Sequence, residues 1–208
     1  MFYTLVKLFS KLFLVFLGNP TIAGEANIPR TGPVIVVANH ISLLDGFLLL
    51  AFWPRRITFL SAAYLFKMLV VGAFLRAIGA ISVQNEGGEL AGMRRALRVL
   101  QRGDTLAIFP EGRVCQLDNL CPFQTGWAYL ALKAGAPVLP VVIKGTRSVL
   151  PVGAVFPRRR KILAQIAVPW TMEKIHHPRQ ETLTAMNMRL IKQMEKILSE
   201  MQASAGGL

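Results

Sequence analysis

Acidic residues are scarce in this chain: 11 Asp and Glu stand against 24 Lys and Arg, a net charge of +13 in 208 residues. No stretch of 18 residues is free of charge, so the sequence writes no clean membrane-spanning helix; the longest uncharged runs are 31–44 and 119–132. Cysteine is limited to Cys115 and Cys121. Two residues make no disulfide framework and their spacing is not that of a metal knuckle, so they are read as reduced thiols. Aspartate occurs only at 45, 104 and 118 and histidine only at 40, 176 and 177. Scattered carboxylates argue against a two-metal hydrolase, and no Cys/His/Asp cluster asks for a metal. There is no G-x-S-x-G elbow for a serine nucleophile, no internal repeat, no low-complexity tract and no linker.

What is present is apolar and basic. Hydrophobic residues make up 53% and charged ones 17%, which excludes a disordered chain. A nucleic-acid binder would be basic and polar, with aromatics among its charges; here Trp53, Trp127 and Trp170 are flanked mainly by apolar residues. Greasy and basic together point to anionic lipid as a partner. Between Glu111 and Glu173 the only acid is Asp118, and 158–161 is an unbroken basic run.

Residues 2–17, FYTLVKLFSKLFLVFL, predict an amphipathic helix with Thr4, Lys7, Ser10 and Lys11 on one side and Leu5, Phe9, Leu12, Phe13 and Phe16 on the other. Gly18 and Pro20 end it. Its apolar core is too short for a signal peptide and no A-x-A-like site follows. We therefore expect residues 1–18 to lie on a membrane surface with both lysines reaching headgroups, ahead of one domain over 19–208. A second greasy stretch, 59–81, fits either a half-submerged segment or a buried crossover.

Runs of β-branched residues at 33–38, 57–61, 80–83, 105–109, 138–143 and 162–168 predict buried strands. Helical patterns lie between them at 43–52, 64–77, 88–101 and 125–134, and a long helix at 180–202 packs by Leu183, Met186, Leu190, Met194, Ile197 and Met201. Strands alternating with helices predict an α/β domain with a largely parallel sheet.

Two clusters sit where such strands end. Asn39-His40-Ile41-Ser42-Leu43-Leu44-Asp45 follows the first buried strand, the edge at which open α/β sheets collect ligands. A histidine there can take a proton from an alcohol at neutral pH, provided an acceptor such as Asp45 fixes its tautomer. If His40 lies in the turn and Asp45 in the first helical turn the two can meet, with Asn39 or Ser42 capping the helix. Phe109-Pro110-Glu111-Gly112-Arg113 ends another strand. Its arginine suits a phosphate. Glu111 either holds that arginine or bonds a substrate hydroxyl.

The two motifs, N-H-x-x-x-x-D and F-P-E-G, resemble those of the glycerolipid acyltransferases, whose best-known members are 1-acylglycerol-3-phosphate acyltransferases. Phe66-Lys67 through Gly79-Ala80-Ile81, and the block Lys133-Ala134-Gly135-Ala136-Pro137-Val138-Leu139-Pro140-Val141, echo two further family segments. The resemblance implies a helix-flanked mixed sheet behind a membrane-associated N-terminal helix. It implies acyl transfer from coenzyme A or acyl carrier protein to a lysophospholipid hydroxyl at the cytoplasmic face of the membrane, with no cofactor, no metal and no nucleic acid. His40 would be the general base and Asp45 its orienting partner. Glu111, Gly112 and Arg113 would bind the phosphorylated acceptor, and Pro140 would shape the donor side. Two departures stand out. Asn85 occupies the position of a family arginine that grips the acceptor phosphate, and F-P-E-G-R-V replaces F-P-E-G-T-R, so Arg113 comes one place early. Rival readings of the same residues are a lipid phosphatase and a non-catalytic lipid-binding protein.

Overall fold

The computed structural model describes residues 2–83, 88–117, 119–154 and 156–203. In chain order the elements are α1 (Phe2–Gly18), β1 (Thr21–Ala23), β2 (Val34–Ala38), α2 (Leu44–Phe52), β3 (Ile57–Ser61), α3 (Leu69–Ala77), β4 (Ile81–Ser82), α4 (Gly88–Gln101), β5 (Thr105–Ile108), α5 (Gly126–Ala134), β6 (Val138–Lys144), α6 (Thr146–Val149), β7 (Leu163–Ile166) and α7 (Gln180–Ala203). The strands form one sheet in the order β1-β7-β6-β2-β5-β3-β4. Five of them, from β6 to β4, are parallel, and β7 pairs antiparallel with β6. The α/β, largely parallel expectation holds.

Alternation along β2 divides the core. Val34, Val36 and Ala38 face a layer built with α1, α2 and α3, while Ile35 and Val37 face α4, α5 and α7. All five β2 residues are fully buried, as expected of a central parallel strand. On α7 the apolar stripe is interrupted by buried Asn187, which accepts from Trp127 Nε1–H at 2.9 Å and donates to the Phe123 carbonyl at 2.9 Å. Those bonds remove the cost of burying an amide. Residues 64–77, expected as one helix, are a 3₁₀ turn (Ala63–Lys67) followed by α3. β3 is in the sheet, but Leu69 and Val70 at the start of α3 are exposed, so the 59–81 stretch is part crossover and part apolar surface.

The N-terminal helix forms where expected with its Leu5, Phe9, Leu12 and Phe16 side outward, but Lys7 turns inward. Leu14, Leu17 and Ser10 are buried against the α2 layer, Lys7 Nζ donates to the Trp53 carbonyl at the end of α2, and Tyr3 Oη accepts the Ile57 N–H at 3.0 Å. Burial pulls the Lys7 pKa down, with the neighbouring Lys11 charge acting in the same direction. Lys7 therefore does not reach outward to headgroups. Phe2, Leu5, Leu8, Phe9, Leu12 and Phe16 are instead more than half exposed along the outer face. Among the described residues no helix is long and apolar enough to cross a membrane.

Cysteine is a second correction. Cys115 and Cys121 form a disulfide rather than two free thiols. The chain turns back on itself after β5, bringing their Cα atoms to 5.8 Å, within bridging reach. Such proximity is invisible in a count of cysteines.

Candidate active site

Adjacent parallel strands β6, β2 and β5 end at one edge of the sheet, and each contributes a loop to the same site. Asn39 and His40 leave β2; Phe109 and Pro110 leave β5; Gly145 and Thr146 leave β6. Asn39 does not cap α2. It is buried, and its amide donates to the Ile143 carbonyl at 2.9 Å and accepts the Ile143 N–H at 2.7 Å, locking the β2 exit to β6. Nor is Ser42 the cap, since the N-cap position is Leu43 and has no side-chain cap; the Ser42 hydroxyl accepts the Leu44 N–H at 3.3 Å and donates to the Leu150 carbonyl at 3.0 Å.

Asp45 sits in the first turn of α2, where a carboxylate is favoured by the helix dipole. It is fully buried. Its Oδ2 accepts from His40 Nδ1 at 3.0 Å and from the backbone N–H groups of Ile41 at 2.7 Å and Ser42 at 2.8 Å; Oδ1 accepts the Thr146 hydroxyl at 2.6 Å. Four donors converge on one carboxylate. An acceptor at Nδ1 puts the neutral imidazole's proton there and leaves Nε2 as the basic nitrogen. The imidazole is held from other sides as well. Phe109 stacks on it at 4.1 Å between ring centroids, and the Cys115 N–H donates to the His40 carbonyl at 2.6 Å.

His40 lines an apolar cleft between α2, β3 and α3, walled by Phe59, Leu65, Val71, Phe74 and Leu75. Gly112 and Arg113 form its rim. Gly112 has φ 68°, a conformation that glycine adopts without strain and that turns the chain so Arg113 lies beside His40. Arg113 is exposed there.

Glu111 and Pro140 are placed differently from Gly112 and Arg113. Neither is among the described residues that line the cleft. Pro140 is buried in mid-strand, and its carbonyl accepts the Ala167 N–H at 2.9 Å. Glu111 turns inward beside the disulfide, with a carboxylate oxygen within 4.8 Å of both sulfurs. Bonded to each other, those sulfurs offer no thiolate for a metal. Neither Glu111 oxygen closes a hydrogen bond of ordinary geometry, and no ion pair with Arg113 forms. Burial pushes the Glu111 carboxyl up to about 8; the Asp45 charge adds to this, and the His40 and Cys121 backbone and the Arg147 charge oppose it. Asn85 falls outside the described residues.

Sequence reasoning missed Thr146, because a short helix after a strand has no periodicity to detect. Its one signal is the glycine before it. Gly145 has φ 91°, and a Cβ there would lie 2.1 Å from the Lys161 carbonyl oxygen. Beside Thr146 stands Arg147. That guanidinium donates to the carbonyls of Cys115, Gln116 and Leu117 at 2.6, 3.1 and 2.7 Å, bracing the loop behind Arg113.

A buried carboxylate, an oriented imidazole and an apolar cleft with an exposed arginine meet at one edge of an α/β sheet, an arrangement that can take a proton from a group bound beside the cleft. Residues 19–144 match the acyltransferase family, and this chain belongs to it. Over 153 residues it is 27% identical to the chloroplastic 1-acyl-sn-glycerol-3-phosphate acyltransferase BAT2 of Brassica napus, covering 72% of this chain and 44% of that one. Over 196 residues it is 25% identical to the 1-acyl-sn-glycerol-3-phosphate acyltransferase of Bacillus subtilis, covering 92% and 96%. The chain thus spans less than half of the chloroplast relative and nearly all of the bacterial one. The crystal structure of the 1-acyl-sn-glycerophosphate acyltransferase PlsC from Thermotoga maritima is similar with a TM-score of 0.79 at 27% identity, covering 97% of this chain and 80% of that one.

Proposed function

We propose that this chain transfers a fatty acyl group from a thioester, on coenzyme A or acyl carrier protein, to the free hydroxyl of 1-acyl-sn-glycerol 3-phosphate, yielding phosphatidic acid. The observation that carries the reading is the His40–Asp45 pair, 3.0 Å apart at the head of an apolar cleft. His40 Nε2 takes the hydroxyl proton as the oxygen attacks the thioester carbonyl. The tetrahedral oxyanion collapses, the thiolate leaves, and the imidazolium returns the proton to it. A thioester is already activated, so positioning and one proton transfer suffice. The cleft takes an acyl chain and Arg113 the acceptor phosphate.

The exposed apolar face of α1 supports a membrane surface as partner. At its C-terminal end stands the 158–161 basic run: the Arg160 N–H donates to the Leu17 carbonyl and Arg159 lies over the Phe16 ring at 5.8 Å. An apolar stripe edged by cations matches anionic lipid. A soluble thioester donor supports the cytoplasmic face as the side on which that surface lies.

The test is thiol release from both donor types with a panel of lysolipids. Lysophosphatidic acid is the expected acceptor; preference for a larger headgroup would assign the early arginine of F-P-E-G-R to a phosphodiester. Folded His40→Ala should lose about 10²–10⁴-fold in kcat. Arg113→Ala should raise acceptor KM about 10- to 150-fold, the worth of one charge-assisted bond, with donor KM unchanged. Retention of a tenth of wild-type kcat in His40→Ala would sink the base assignment.

A further inference from the structure

The Asp45 carboxylate is held from two directions. Its Oδ2 belongs to its own turn, accepting from His40, Ile41 and Ser42, whereas among the described residues Oδ1 accepts from Thr146, 101 residues away at the end of β6. Thr146 and Asp45 are both fully buried, so no water takes over that bond. The terminal torsion of an aspartate is broad, so three contacts on one oxygen limit the rocking of the carboxylate but leave it some freedom. The hydroxyl on the other oxygen removes that freedom.

We infer that Thr146 is a positioning residue for the reaction: its hydroxyl pins Asp45 Oδ1 so that Oδ2 stays on His40 Nδ1 and Nε2 stays aimed at the acceptor hydroxyl. It touches no substrate and acts through Asp45. Gly145 sets it in place, since its φ is 91° and a Cβ there would lie 2.1 Å from the Lys161 carbonyl oxygen. The next residue, Arg147, braces the loop carrying Cys115 and, through it, the His40 carbonyl. One short helix therefore supports both members of the pair.

This inference rests on the acyl-transfer reading, and the experiment separates the two. Thr146→Val keeps the shape and removes the donor, leaving a buried carboxylate oxygen unpaired. Its kcat should fall about 10- to 100-fold with both KM values within about twofold of wild type, and Thr146→Ser should restore kcat to within about threefold. On an Asp45→Ala background the Val substitution should cost less than about twofold more, because its route to His40 is already cut. If Thr146→Val does not fold, Thr146→Cys replaces it, with a weak thiol donor and a smaller loss. Unchanged kcat in the folded variant overturns the proposal. So does a full additional loss on the Asp45→Ala background, which marks a role in the fold alone. Activity surviving His40→Ala overturns the acyl-transfer mechanism itself.

Discussion

Glu111 carries a cost that varies with pH, and removing its charge should stabilise the protein. Its oxygens are buried without a hydrogen bond of ordinary geometry, and the carboxyl is pushed up to about 8 from 4.5, chiefly because burial disfavours the anion. A folded-state value above the unfolded one means that folding takes up a proton. The group then costs nothing below about pH 4.5, and stability is lost as pH rises toward 8, beyond which the penalty is constant. Each pH unit in that window is worth about 1.4 kcal/mol, so two and a half units separate pH 7 from the unshifted value and give about 3 kcal/mol. Solvent screening near the loop surface reduces this to about 2–3 kcal/mol. Glu111→Gln mimics the neutral acid at every pH. It should therefore match wild type at pH 4.5, gain about 2–3 kcal/mol at pH 7, and gain about 1 kcal/mol more at pH 9. For a chain of this size the pH 7 gain is a Tm increase of about 4–12 °C. Denaturant titrations of both proteins at the three pH values measure it. A difference that stays flat with pH would refute the reasoning, because a lost contact is indifferent to protonation whereas a desolvated charge is not.

Protein purified without reductant should show no reactive thiol when denatured and two after reduction, and Cys115→Ser should cost about 2 kcal/mol for losing so short a loop; two reactive thiols before reduction would remove the disulfide. Paired Phe9→Glu and Leu12→Glu substitutions on the outer face of α1 should weaken binding to phosphatidylglycerol vesicles more than tenfold, while Lys7→Ala leaves it unchanged because that lysine is bound to Trp53. Undiminished flotation of the double variant would move the lipid contact elsewhere. Removing α1 outright is the poorer test, since Leu14 and Leu17 belong to the core.

Much of this protein was legible in one dimension. β-Branched runs marked six of the seven strands, because a strand buried on both faces has to be apolar throughout. His40 lies in the turn and Asp45 in the first turn of α2, the condition under which N-H-x-x-x-x-D lets the two meet. β1 was missed at three residues, too short for any pattern. The inward placement of Lys7 on α1 was also hidden. An amphipathic sequence states that two faces differ, but whether the lysine side meets solvent or a carbonyl depends on what α2 presents to it. Local periodicity and the motif chemistry were thus determined by the sequence alone, since each follows from the residue and its near neighbours. Only the tertiary structure decided which distant groups complete the site. Thr146 reaches Asp45, Cys121 reaches Cys115 beside Glu111, and Arg147 reaches the loop behind Arg113 because parallel strands β6, β2 and β5 end at a common edge. Their exit loops are forced together there by strand spacing, and no periodicity along the chain records that meeting.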